Sequence, residues 1–107
     1  MKMNIKEIES EISKIKTELM QIGLMRPGSL TCQYKNSKEK TGASWQISYT
    51  HKMKSKTDYV KMACVDQIAQ QIEEYKKYRE LTERWVELAI LHSNLVMKEV
   101  KRKPRNG

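Results

Sequence analysis

Few side chains in this sequence could do catalytic chemistry, and their spacing does not assemble a catalytic arrangement. The chain has two histidines, His51 and His92, but no Ser/His/Asp constellation, no glycine-rich phosphate loop and no H-E-x-x-H pattern. Glu73 and Glu74 are adjacent on a predicted helix, so they point to different faces and cannot form a carboxylate dyad. Cys32 is interpreted as an inert, half-buried thiol. The sequence therefore predicts a protein that is not an enzyme.

The same residue types lack the spacing of a metal site. Cys32 and Cys64 are 32 positions apart, and with His51 and His92 they do not supply tetrahedral zinc ligands. We therefore expect no metal and no cofactor. The cysteine usage does not suggest an oxidising compartment, no run approaches the roughly 18 apolar residues of a membrane span, and the N-terminus lacks a secretory signal. These features predict a cytoplasmic protein without a membrane partner.

The positive charge of the chain is concentrated in two segments, and such segments are suited to bind phosphates. The 107 residues carry a net charge of +8, yet residues 1–25 are balanced, residues 26–61 carry +6, residues 62–97 carry −2 and residues 98–107 carry +4. Lysines that neutralise nucleic-acid phosphates release condensed counterions, which favours binding. A generic solvated surface does not require this segregation, so the middle of the chain is the candidate interface.

Aromatic residues alternate with the lysines of this middle segment, and aromatic rings can stack on unpaired bases. The predicted nucleic-acid-binding residues are Lys35, Lys38, Lys40, Trp45, Tyr49, His51, Lys52, Lys54, Lys56 and Lys61. Arginine is scarce here, which favours phosphate contact of low sequence specificity over readout of base edges. The expected partner is nucleic acid, DNA in the first place. In the alternative interpretation, Trp45 and Tyr49 face a helix and the lysines keep an edge strand soluble.

The elements that must position these residues are predicted to be strands. Trp45, Ile47 and Tyr49 alternate with polar residues, which is the period-2 pattern of a half-buried strand. A shorter strand is predicted over 31–35 and a third over 56–62, with loops at 36–42 and 51–55. Together they predict a three-stranded antiparallel β-meander over residues 29–62, which must lie against a helix to be stable.

The N-terminal segment predicts a helix over residues 4–22. Asn4 and Glu7 have the spacing of a capping box, and Gly23 is expected to end the helix in a left-handed conformation. Six apolar residues repeat at alternating intervals of three and four and form a heptad seam: Ile5, Ile8, Ile12, Ile15, Leu19 and Ile22. So narrow a seam favours a partner helix over a broad core.

The C-terminal segment lacks proline and glycine from Cys64 to Pro104 and keeps helical apolar spacing, with a slip near Tyr78–Leu81. A single helix would be about 57 Å long at roughly 1.5 Å per residue, longer than a 107-residue globule can cover. The fold is therefore predicted as α+β: one domain over residues 1–100, with a helix over 64–100 and a basic disordered tail over 101–107.

The excess helix length and the heptad seam together predict a coiled-coil-like homodimer or higher homo-oligomer, although a break near Arg79–Thr82 is the alternative. Trp85 and Leu88 are assigned to the dimer contact together with the six seam residues. A second hypothesis for function follows: a dimerisation or adaptor module that docks onto another protein, such as a recombinase or transposase. Its basic segment would then bind an acidic partner.

Several short motifs resemble a known family. The run Pro27-Gly28-Ser29-Leu30-Thr31, then Lys56-Thr57 and Tyr59-Val60, and then a helix rich in tyrosine and arginine over 75–81 are similar to a family of short prokaryotic proteins of unknown function. Members are often encoded beside mobile elements, and the resemblance spans roughly residues 5–97. It implies a shared architecture and a loose tie to transposons, plasmids or phages. Asn36 occupies the place of the first residue of the family's cysteine cluster, so no zinc knuckle is expected here.

Overall fold

The computed structural model describes residues 3–36, 38–39 and 41–101. It confirms the α+β class and the order of the elements: an N-terminal helix, a three-stranded antiparallel sheet and a long C-terminal helix. Lys40 and the predicted tail from residue 102 onward lie outside the described residues. The described chain divides into two compact units, a helical unit (residues 3–22 with 78–101) and a sheet unit (Gly23–Lys77).

Helix α1 comprises Ile5–Met20 and begins with the predicted capping box. The Glu7 backbone N–H donates to Asn4 Oδ1 at 2.8 Å, and the Asn4 N–H donates to Glu7 Oε1 at 3.0 Å. The predicted end was wrong, because the helix stops at Met20 and the φ of Gly23 is not in the left-handed region. Instead the Gln21 N–H donates to Glu18 O, a tightened turn that satisfies a terminal carbonyl without a glycine.

The core of the helical unit is made by α1 and the second half of the long helix. Ile8, Ile15 and Leu88 are buried together. Six half-buried apolar residues pack around them: Met3, Ile12, Leu19, Leu81, Trp85 and Leu95. Several residues assigned to a dimer contact thus have apolar contacts within one chain, and the dimer itself stays a prediction.

Polar contacts also join the two helices of this unit. His92 Nε2 lies 3.1 Å from Glu9 Oε2, and the Lys16 ammonium lies 5.4 Å from the centre of the Trp85 ring. The long helix, α2, runs without a break over Val65–Lys101 and follows a 3₁₀ turn at Met62–Cys64. The slip in its apolar spacing falls where α2 passes from the sheet unit to the helical unit. No described helix has a stretch apolar and long enough to cross a membrane.

The sheet contains β1 (Ser29–Asn36), β2 (Thr41–His51) and β3 (Lys54–Val60), in that spatial order and antiparallel. The third strand begins two residues earlier and ends two residues earlier than predicted. The reason is that β2 and β3 are joined by a two-residue turn, not by a five-residue loop. At the other hairpin, Asn36 Oδ1 accepts backbone N–H bonds from Lys38 and Glu39, which turns the chain locally.

The alternation predicted for β2 is confirmed by burial. Ile47 is buried, Trp45 and Tyr49 are half-buried, and the cross-strand partners of Ile47 and Trp45 on β1 are the half-buried Leu30 and Cys32. Gly28 lies under this face with φ +142°, where a Cβ atom would meet the Ile47 side chain at 2.7 Å. Glycine is therefore required at this position, both for its backbone conformation and for the close approach.

Candidate nucleic-acid interface

The predicted interface residues are distributed between the two ends of the sheet. Lys35 and Lys38 lie at the β1–β2 end, whereas a tip cluster of His51, Lys52, Lys54 and Lys56 lies at the β2–β3 end. The 11 residues of β2 separate the two ends by about 33 Å, at roughly 3.3 Å per residue. Lys61 directly follows β3. The structure thus assembles four of the ten residues into one cluster and places the other described lysines elsewhere.

The strand register explains why the tip cluster is compact. His51 pairs with Lys54, and Tyr49 pairs with Lys56, across the antiparallel ladder. Residues directly opposite each other project from the same sheet face, with Cβ atoms about 5 Å apart. Lys54 and Lys56 therefore follow His51 and Tyr49 along one face of the hairpin, and Lys52 belongs to the turn that closes it.

The described lysines of the sheet have no carboxylate partner, whereas several basic residues of the helices have one. The described helices contain five ion pairs between a basic residue and a glutamate three or four positions away, for example Lys76 with Glu73 at 3.3 Å. Lys35, Lys38, Lys52, Lys54, Lys56 and Lys61 are exposed and pair with no carboxylate among the described residues. Their positive charge is therefore available to an external anion.

The two predicted aromatic residues are already engaged within the sheet unit. Tyr49 is half-buried, its hydroxyl donates to Asp58 Oδ2 at 3.2 Å, and the Arg26 guanidinium lies 4.8 Å from the centre of its ring. Trp45 is half-buried between its cross-strand partners Cys32 and Val60. One face of the Tyr49 ring is thus covered by a cation, which fits the alternative in which these rings serve the fold.

An aromatic ring that was not among the ten candidates is more accessible. Tyr59 is 80% exposed and pairs with Gln46, so it projects from the sheet face opposite to Ile47. That face is polar: the Ser48 and Thr57 hydroxyls are 3.2 Å apart, and those of Thr50 and Ser55 are 3.1 Å apart. The signal that identifies Tyr59 is its phase, since it precedes the half-buried Val60 by one residue and must face the other way.

Sequence reasoning also passed over the residue at the tip of the β2–β3 hairpin. Met53 is 98% exposed and follows Lys52 in the two-residue turn. Both residues have positive φ, 51° for Lys52 and 65° for Met53. An apolar residue inside a basic turn is the sequence signal that could have pointed to it.

Two further groups on the sheet have chemical potential but no assembled site. A hydrogen bond with Cys32, followed by the charge interaction with its thiol, raises the pKa of Tyr34. Cys32 and Cys64 are both free thiols and half-buried. Among residues 3–36, 38–39 and 41–101, no three His, Cys, Asp or Glu side chains form a group that could hold a metal ion.

Comparisons with known proteins identified no similar protein. No protein-family model matches the chain, and neither a curated protein nor a solved structure matches it. The exposed lysines and the hairpin turn are therefore the features from which a function can be inferred.

Proposed function

We propose that this chain is a non-catalytic nucleic-acid-binding protein that holds the phosphates of DNA through the lysines of its sheet unit. The observation that supports the proposal is the set of exposed lysines without a carboxylate partner in the described chain. The resemblance to a family encoded beside mobile elements favours an accessory role in such an element. Because lysine acts as a point charge, the binding is of low sequence specificity.

The tip cluster is the primary contact in this proposal. Its residues are held on paired strands, so they lose less conformational entropy on binding than a floppy basic segment would. The β1–β2 end, about 33 Å away at roughly 3.3 Å per residue, reaches phosphates farther along the same duplex.

The experiment compares two triple variants that remove the same charge. One replaces Lys52, Lys54 and Lys56 by Ala, and its matched control replaces Lys14, Lys76 and Lys77, each of which pairs with a glutamate on its own helix. Mobility-shift titrations of a duplex and of a single strand, at several salt concentrations, measure the log–log salt slope. We expect the first variant to lower the slope by about 0.7–0.9 per lysine and the control to leave it nearly unchanged.

Two outcomes would contradict the proposal. Equal losses in both variants would mean that overall charge, not the tip cluster, governs binding. No binding of any probe by the wild type at low salt would remove the nucleic-acid function altogether. A third chain, truncated after residue 100, tests the basic tail: we expect it to bind more tightly than the tip variant, and the reverse order would assign the primary contact to the tail.

A second candidate function is a homodimer, and an exposed apolar stripe on α2 favours it. The stripe lies about 200° around the helix from Leu88, at roughly 100° per residue, and repeats at heptad intervals. Its members are Val86, Ile90, Met97 and Val100. The intervals of three, four and seven are those of a two-stranded coiled coil, so we take a second copy of the chain as the occupant.

Light scattering at micromolar concentration tests this second candidate, with Ile90→Asp as the variant of the stripe. We expect twice the 12.6 kDa chain mass for the wild type and the chain mass for the variant. A wild-type mass of one chain would exclude the homodimer and leave the stripe to another protein, such as a recombinase or transposase. An unchanged dimer in the variant would place the contact elsewhere on the chain.

A further inference from the structure

The turn between β2 and β3 uses residues that its backbone conformation disfavours. Two-residue turns with positive φ at both positions match the twist of the flanking strands, and they favour Asn-Gly or a similar pair. Here the two positions are Lys52 and Met53, with φ values of 51° and 65°. Side chains with a Cβ and a long stem adopt this left-handed region only at a cost in free energy. Lys52 and Met53 therefore make the turn less stable than a favoured pair would.

Packing of the Met53 side chain does not offset the free-energy cost of this backbone conformation. It is 98% exposed, so almost none of its apolar surface is removed from water in the folded chain. Met62, in the 3₁₀ turn after β3, is also exposed, but it does not lie in a strained turn. A disfavoured residue that contributes nothing to the fold marks a functional position more often than an accident of sequence.

The surroundings of Met53 determine what it could contact. Lys52, Lys54, Lys56 and His51 lie within three residues of it, on the turn and on the two strands that carry it. Their exposed side chains form no ion pair with any carboxylate in the described chain. The hairpin thus presents one flexible apolar side chain at its end, with cationic groups directly behind it.

We infer that this hairpin enters duplex DNA from the minor groove and that Met53 wedges between two stacked base pairs and kinks the duplex. The inference rests on the proposed function and extends it to a deformed double helix as the ligand. Methionine is among the side chains that proteins insert between base steps in this way, and the lysines behind it would neutralise the phosphates that the kink brings together. Pyrimidine–purine steps, which unstack most easily, are the expected positions of insertion.

A duplex fits the tip better than a lipid surface does. Stable insertion into a bilayer interface requires a broad apolar face, and the residues next to Met53 in the hairpin are Lys52 and Lys54. A single wedge suffices in DNA, because the two separated base pairs cover both sides of the inserted side chain.

The test is ligase-catalysed circle formation by duplexes of about 100 base pairs, which are shorter than the DNA persistence length of about 150 base pairs and close poorly unless they are kinked. The wild type is expected to raise the yield of circles about tenfold over DNA alone. Met53→Ala is expected to abolish this gain while it still binds a linear duplex with the salt slope of the wild type, since the number of phosphate contacts sets that slope.

Two further variants test whether the loss of any exposed methionine, or a change in the stability of the turn, would by itself abolish bending. Met62→Ala removes another exposed methionine of the sheet unit and is expected to bend DNA like the wild type. Met53→Gly relaxes the turn, so it is expected to fold at least as stably as the wild type and still to lose bending. Thermal unfolding of each variant, followed by circular dichroism, verifies that the chain is folded.

The outcomes separate this inference from the function on which it rests. A wild type that binds duplexes without promoting circles, or a Met53→Ala variant that bends like the wild type, overturns the wedge and leaves phosphate binding in place. A wild type that binds no duplex overturns both. Loss of binding to phosphatidylserine vesicles by Met53→Ala, with unchanged DNA bending, would assign the tip to a membrane surface.

Discussion

The two units of this protein use their residues in opposite ways. In the helical unit, apolar residues of α1 and α2 bury one another, and several charged residues pair along the surface of their own helix. Among the described residues of the sheet unit, the buried apolar side chains are Ile47 and Ile72, and the lysines of the strands and turns have no carboxylate partner. The difference is one of chemistry: the helical unit leaves an apolar stripe exposed on α2, whereas the sheet unit leaves unpaired positive charge and a turn with positive φ at two residues.

The largest change in the free energy of unfolding is expected from a substitution in the core of the helical unit. Leu88 is 1% exposed, so Leu88→Ala removes buried apolar atoms and leaves a cavity, which lowers the free energy of unfolding by about 2–5 kcal/mol. The matched variant is Ile90→Ala on the same helix, where the side chain is 57% exposed within one chain, so at protein concentrations too low for dimerisation the change should be within about 0.5 kcal/mol. Urea unfolding monitored by circular dichroism measures both.

The same pair of variants also tests whether the helical unit is self-sufficient. If Ile90→Ala destabilises the protein, and the loss grows with protein concentration, then the exposed stripe is buried in a dimer and the comparison between the units changes. If the two variants behave alike, the burial of Leu88 within one chain is not what stabilises this unit.

A smaller loss of stability is expected from a substitution of Gly28, the residue just before β1. Gly28→Ala would place a Cβ atom at 2.7 Å from the Ile47 side chain and 3.2 Å from Ser48 O, at a φ of +142°. The strained backbone alone costs about 1–3 kcal/mol. Gly23→Ala is the control, because the nearest atom to its Cβ would be Glu74 Oε1 at 3.8 Å and its φ is ordinary. Thermal unfolding should show a loss only for Gly28, and equal effects would mean that Gly28 does not need its glycine conformation.

Much of this fold could be predicted because its signals are local. Apolar intervals of three and four identify α1, the alternation around Ile47 identifies β2, and the capping box at Asn4 fixes where the first helix begins. The end of α1 was missed, since a tightened last turn at Gln21 competes successfully with a glycine cap. The sequence could not show that Leu88 packs against α1 of its own chain, because a heptad seam fits a helix from either source equally well.

The candidate site was harder to predict than the fold. Composition identifies the lysines, but only the register shows that the tip cluster lies at one end of the sheet and Lys35 at the other. Tyr49 was chosen for its aromatic ring, and it lies under Arg26 because the segment before β1 returns over the half-buried face. The strain at Met53 could not be anticipated, since the sequence predicted a longer turn, over residues 51–55.

The smallest effect, and the only expected gain in stability, concerns the hairpin turn itself. Replacing Lys52 and Met53 by Asn and Gly supplies the residues that positive φ at both positions favours, and it should raise the free energy of unfolding by about 1 kcal/mol. The same change removes one lysine from the tip cluster, so the salt slope for DNA should fall by about 0.7–0.9, and it removes the wedge, so the yield of DNA circles should fall to that of DNA alone. A more stable protein that has lost bending is the signature of a turn selected for function at the expense of stability.

If the double variant is less stable than the wild type, then Lys52 or Met53 contributes to the fold despite its exposure. If it is more stable and bends DNA as before, the strain of this turn has no connection with binding, and the contrast between the two units reduces to charge alone.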